Sequence, residues 1–136
     1  MFPVIELRAR IVRVLSLARG ETITDIFGWA AKRPTRLALV SVGYADGYPR
    51  SARPFDNKLQ AIVGGQRCRV VGHPSMDLLA IDVTDVSDPT DTRHGNMATL
   101  VGAGISIDDL AAASKSTGRE LLIHLGPRFH RIYYAT

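Results

Sequence analysis

The chain contains a single cysteine, Cys68. A lone thiol cannot close an intrachain disulfide, so a reducing compartment is expected and Cys68 reads as a small apolar strand residue. No apolar run approaches the ~20 residues of a membrane span. The opening, "MFPVIELRARIVRV", alternates charged and apolar residues, whereas a signal peptide would run apolar. These absences predict a soluble, cytoplasmic protein. His73, His94, His124 and His130 form no H-x-x-H pair, and no C-x-x-C exists, which argues against a metal site. There is no P-loop, no G-x-S-x-G and no G-x-G-x-x-G; "GAGIS" offers only a lone G-x-G. Charge of one sign is not concentrated either. The 17 Lys+Arg exceed the 13 Asp+Glu by four, and the arginines are scattered from Arg8 to Arg131. With 7% aromatics that do not interleave with those arginines, the pattern argues against nucleic-acid binding.

What remains is an ordinary globular composition, 46% hydrophobic and 22% charged, in 136 residues. That length suits one domain, residues 1–136, burying roughly 70% of its unfolded surface. In "VIELRARIVRV" Ile5, Leu7, Ala9 and Ile11 alternate with charged residues, the mark of a half-buried strand. The alternation slips after Ile11, which predicts a bulge or a change of sheet. "LARGET" turns the chain at Gly20, and "RPTRLALVSV" is the next strand. "AIVGGQRCRVVG" is a hairpin turning at Gly64-Gly65. "DLLAIDVTDV" and "NMATLVG" are further strands, and "RFHRIYY" reads as a closing one. One helix, "SIDDLAAASKSTG", has Ser106 as N-cap, Asp109 completing a capping box, and Gly118 as the residue past its end. "RELLIHL" fits a short helix or a strand. The predicted class is mainly β: a closed or partly closed barrel of about 6–8 strands with one or two short helices.

Two stretches exceed what a scaffold needs. "GYADGYPR", Gly43 to Arg50, follows the apolar run "LALVSV" and puts Tyr44 at the end of a strand. Strand ends are where rigid scaffolds present reactive groups, although a tyrosine there is ordinarily packing with its hydroxyl on a backbone partner. Asp46-Gly47 alone is turn chemistry. In "GHPSMDLLAID", Pro74 breaks a strand, and Ser75, Met76 and Asp77 sit at the mouth of the next. Such a loop is either a turn with Met76 filling a gap or a set of backbone N–H groups aimed at a carboxylate.

Together, "RPTRLALVSVGYADGYPR", a hairpin, and "VVGHPSMDLLAIDVTDV" resemble the C-terminal domain of alanine racemases. That family carries G-Y-A-D-G after a strand, then G-x-x-x-M-D before an apolar strand and D-V-T. The ends "LRARIVRV" and "RIYY" are similar as well, so the resemblance covers nearly the whole chain. It implies a pyridoxal phosphate enzyme interconverting L- and D-alanine. A separate N-terminal TIM-type barrel holds the cofactor on a lysine. The mainly β domain of one subunit completes the active site of a partner packed head to tail. Carried over by position, Tyr44 is the acid/base group that takes the α-proton of the L-isomer. Met76 lies at the substrate with its backbone near the carboxylate, and Asp77 neighbours it.

The resemblance further implies that the chain is the β domain alone. Lys32, Lys58 and Lys115 have no cofactor-binding context, and the isolated domain is expected to be inert. Three departures from the family pattern stand out. Ser75 occupies a position that is often Cys. "ITDIFGW" replaces a segment that often holds Y-G. A second tyrosine of the site has no match at Gly126-Pro127-Arg128. A phenol normally ionises near pH 10, so use as a base at about pH 7 calls for ~4 kcal/mol of preference for phenolate, which nearby cations supply. Two rival readings are a free-standing β-barrel binding module and a domain of a broader amino-acid racemase. The first would place its patch away from Tyr44.

Overall fold

A computed structural model describes residues 5–23, 29–49, 59–113 and 117–133. Among the described residues eight strands run in the order β1 (Leu7–Leu17), β2 (Thr22–Ile23), β3 (Trp29–Ala30), β4 (Thr35–Val40), β5 (Gln60–Val63), β6 (Gln66–Val71), β7 (Leu79–Asp82) and β8 (Met97–Val101). Two short helices follow, α1 (Ile107–Ala113) and α2 (Gly118–His124). Six strands close an antiparallel barrel in the order β1-β4-β7-β6-β5-β8, and β2-β3 forms a separate ribbon.

β1 makes closure possible. Its first half pairs with β8, Leu7 opposite Val101 and Arg10 opposite Met97. Its second half pairs with β4, Ile11 opposite Val40 and Leu17 opposite Thr35. The slip expected after Ile11 is a register shift between Ile11 and Arg13. An extra residue there bends the strand, so one long strand serves both sides of the seam. Past the shift, Val14 still packs toward the barrel interior while Val12 and Leu15 join a second cluster outside it.

The unbroken "LALV" run has the same origin. Ala38 and Val40 face the interior with Ile11, Leu79 and Ile81. Leu37 and Leu39 face outward but are covered by Ile23 and Trp29 of the ribbon. A strand buried on both faces has no polar positions to alternate. The β5–β6 hairpin turns at Gly64 (φ 59°) and Gly65 (φ 75°), the left-handed pair that a two-residue turn demands. Cys68 is buried in β6; burial first, and the Asp82 charge second, push its thiol up. Native-state modification by a disulfide reagent at pH 8 is therefore expected to run at least about tenfold slower than after unfolding. Equal rates would show that Cys68 is not a packing residue.

Two elements differ from the sequence reading, Gly118 and "RFHRIYY", and one that it left open between helix and strand takes the first form. "RELLIHL" is helical, all within α2 but its last residue. Gly118 opens α2 and does not close α1: Thr117 is the N-cap, its hydroxyl accepting the Glu120 N–H at 3.2 Å. A Cβ on Gly118 would lie 2.8 Å from Asp108 Oδ1, so the glycine lets the two helices meet closely. "RFHRIYY" is not a closing strand over its described residues, 128–133, and Tyr133 is 86% exposed. The barrel is already sealed by β1 between β4 and β8, which leaves no edge to pair with. The Ser106–Asp109 capping box is present with both N–H···O bonds at 3.0 Å. Of "ITDIFGW", residues 24–28 lie outside the described residues. No helix among the described residues is long and apolar enough to cross a membrane.

Candidate active site

Beyond Val40 the chain leaves the barrel through Gly43 into a 3-10 turn, Tyr44–Asp46. Two backbone bonds tie this turn to the loop before β7: Tyr44 N–H donates to the Ser75 carbonyl and Ala45 N–H to the Met76 carbonyl, each at 3.0 Å. The contact is so close that a Cβ on Gly43 would stand 2.3 Å from the Met76 oxygen. Gly43 is extended (φ −150°), so it is required by space and not by backbone freedom. Gly47 closes the turn at φ 100°, and a Cβ there would lie 2.2 Å from the His124 carbonyl oxygen. The Tyr44 turn is thus wedged between the Ser75–Met76 backbone on one side and the end of α2 on the other.

The second half of the site is held by Ser75. Its hydroxyl accepts the Leu78 N–H at 2.9 Å and donates to the Leu78 carbonyl at 3.1 Å; the Ser75 N–H donates to the same carbonyl at 2.9 Å. This tight turn throws Met76 (57% exposed) and Asp77 outward. Among the described residues no group accepts from the Met76 N–H. An open cleft of about 660 Å³ is lined by Tyr44, His73, Pro74, Ser75, Met76, Asp77 and Leu78. The structure therefore gathers Tyr44, Met76 and Asp77, which come from different parts of the chain, on one rim.

The two tyrosines of "GYADGYPR" have different surroundings. Tyr44 is half-buried in the cleft wall, whereas Tyr48 is in the core, where burial pushes its phenol up. Asp46, read from sequence as a turn residue, is 2% exposed and carries a charge network. It accepts the Gly43 N–H (3.1 Å) and both Nε (2.7 Å) and a terminal nitrogen (2.9 Å) of Arg128. The other terminal nitrogen of Arg128 lies 3.5 Å from Asp77 Oδ1. In the sequence Arg128 has no role of its own: it is one of the scattered arginines and ends the Gly126-Pro127-Arg128 stretch that lacks the second tyrosine. It is 82 residues from Asp46, and no local pattern links the two.

The Met76 N–H can orient an anion in the cleft, whose wall carries the Tyr44 phenol. Among the described residues no lysine lines the cleft, so none of them offers an amine to a cofactor aldehyde. Lys32 is exposed near the start of β4, and Lys58 and Lys115 lie outside the described residues.

Residues 4–133 match the family model described as "Alanine racemase, C-terminal domain". An alanine racemase of Methylobacterium sp. (strain 4-46) is 44% identical over 133 residues, covering 98% of this chain and 35% of that protein. The biosynthetic alanine racemase of Pseudomonas aeruginosa is 40% identical over 131 residues, again 35% of its length. Its crystal structure superposes with a TM-score of 0.84 at 38% identity, covering 96% of this chain and 35% of that one. The Bartonella henselae alanine racemase, solved with covalently bound pyridoxal phosphate, also gives 0.84, at 29% identity over 95% of this chain and 34% of that one. The chain thus spans about a third of the length of the relatives it matches.

Proposed function

The chain belongs to the alanine racemase C-terminal domain family, and from that premise we propose that it supplies the tyrosine side of the active site of a pyridoxal phosphate-dependent alanine racemase. The observation that carries the reading is the cleft in which the Tyr44 turn and the Met76 loop are bonded backbone to backbone. Racemisation needs a proton-transferring group on each face of the substrate α-carbon. Tyr44 is one, taking the α-proton of L-alanine and returning one to the planar form. The Met76 N–H binds the substrate carboxylate, and Asp77 borders that position. Pyridoxal phosphate, when bound, supplies the electron sink that makes the α-proton removable.

The absence of lysine from the described lining of the cleft fits a cofactor held by a different domain; the Bartonella relative was solved with pyridoxal phosphate covalently bound. The cleft opens to solvent, so the substrate and the opposing proton donor arrive from outside this domain. In this reading a partner subunit brings them, the two packing head to tail as a homodimer. The setting is the cytoplasm, in keeping with an unpaired cysteine.

A chimera tests the reading: this chain replaces the matching C-terminal third of the Pseudomonas racemase. The chimera is expected to interconvert L- and D-alanine, while this chain alone with added pyridoxal phosphate does not. A folded, cofactor-loaded chimera without turnover, or turnover by the chain alone, overturns it.

A further inference from the structure

Asp46 is a buried carboxylate whose acceptor sites are taken by the Gly43 N–H and by two nitrogens of one guanidinium. That guanidinium belongs to Arg128, on the segment after α2, and its remaining terminal nitrogen faces Asp77 across the rim. The same segment holds the turn by backbone as well. The Gly126 N–H donates to the Asp46 carbonyl at 2.9 Å, and Arg131 donates to the Leu125 and Gly126 carbonyls at 3.4 and 3.3 Å. The Tyr44 turn therefore has two restraints. The Ser75 and Met76 carbonyls hold its N–H groups from one side, and the 125–131 segment holds Asp46 from the other. Among the described residues, Arg128 alone touches both carboxylates, one on the tyrosine turn and one on the Met76 loop.

We infer that Arg128 is a positioning residue for the racemisation chemistry: by forking between Asp46 and Asp77 it fixes where the Tyr44 phenol stands relative to the Met76 N–H. The inference rests on the roles given to Tyr44 and Met76 above. A planar fork with donors on two edges meets both carboxylates at once; an ammonium is a point charge and meets one. Misplacing a reacting group by about 1 Å costs on the order of 10²-fold in rate, so a residue that never touches substrate can govern turnover. The alternative is that the pair only stabilises the fold, and the two roles separate cleanly. Arg128→Met leaves the Asp46 carboxylate buried without its counter-charge and lowers stability. Arg128→Met with Asp46→Asn removes the charge as well and restores much of that stability, but not the fork.

The experiment compares wild type, Arg128→Lys, Arg128→Met and the double variant. Amide hydrogen exchange is measured on the 136-residue chain and steady-state kinetics on the chimera. In the double variant the Tyr44 and Ala45 amides are expected to exchange at least about tenfold faster while β4 and β7 amides hold. Its kcat is expected to fall roughly 10–100-fold with KM within about threefold. Arg128→Lys falls between. A double variant with wild-type kcat overturns the inference, whatever its exchange. An inert wild-type chimera defeats the racemase reading instead, and exchange at Tyr44 and Ala45 then decides the positioning by itself.

Discussion

In the chimera, on the proposed function, Tyr44→Phe is expected to lower kcat/KM for alanine by about 10²–10⁴-fold, the usual loss when a positioned acid/base group is removed. Stability should move little. The turn that carries Tyr44 is held by backbone N–H groups and by Asp46, and none of these changes when a hydroxyl is deleted. The ring still fills its half-buried place, so the cost is that of one hydrogen bond, roughly 0.5–1.5 kcal/mol. The racemisation constant is unity by symmetry, so kcat/KM must fall equally from either enantiomer. Directionality shows instead in proton exchange. With Tyr44 gone, the opposing group can still remove and return the α-proton of D-alanine. In deuterium oxide, D-alanine should therefore exchange its α-hydrogen without racemising, while L-alanine keeps its own. Initial rates, α-hydrogen exchange of each enantiomer and a melting curve check this together. Unchanged turnover would return Tyr44 to the packing class. Exchange of L-alanine but not D-alanine would put Tyr44 on the wrong face of the substrate.

What could be read from the sequence follows from how local each cause is. The Gly64-Gly65 hairpin and the Ser106–Asp109 box depend on residues within three positions of each other, and both stand in the structure. The slip after Ile11 was visible because period two breaks there. Tyr44 and Met76 were legible through motif resemblance, and their meeting in one cleft is what the Gly43 close approach allows. The closing strand failed for a global reason. "RFHRIYY" has strand composition, but whether a strand forms depends on a free sheet edge, and β1 had used both. Gly118 failed because a glycine between two helical stretches serves equally as an end or as a close-packing start. Arg128 was invisible because its importance lies in a carboxylate 82 residues away that looks, locally, like any turn aspartate.

The same geometry makes Gly43 hard to replace. Gly43→Ala introduces a Cβ 2.3 Å from the Met76 oxygen and 2.4 Å from the Ser75 oxygen, both backbone atoms that cannot swing aside as a side chain would. The backbone conformation itself suits alanine, since φ is −150°, so the whole cost is steric. Relief requires the Tyr44 turn and the Met76 loop to part, which stretches the Tyr44–Ser75 and Ala45–Met76 hydrogen bonds together. Overpacking costs about 1–3 kcal/mol and each of the two lost bonds about 1, so a destabilisation of roughly 3–5 kcal/mol is expected. For a domain of this size that is a Tm lower by about 10–15 °C. Gly65→Ala separates this from the generic cost of replacing a glycine. Its Cβ meets nothing within 4 Å, but φ is +75°, so only the left-handed penalty of roughly 1–2 kcal/mol applies. The two variants should therefore differ in kind as well as size. Gly65→Ala lowers Tm modestly and leaves racemisation by the chimera intact. Gly43→Ala, at a temperature where both are folded, loses turnover because the phenol and the Met76 N–H no longer keep their distance. If Gly43→Ala melts no lower than Gly65→Ala and retains wild-type kcat, the tight seam between turn and loop does not exist in solution, and the site built on it falls with it.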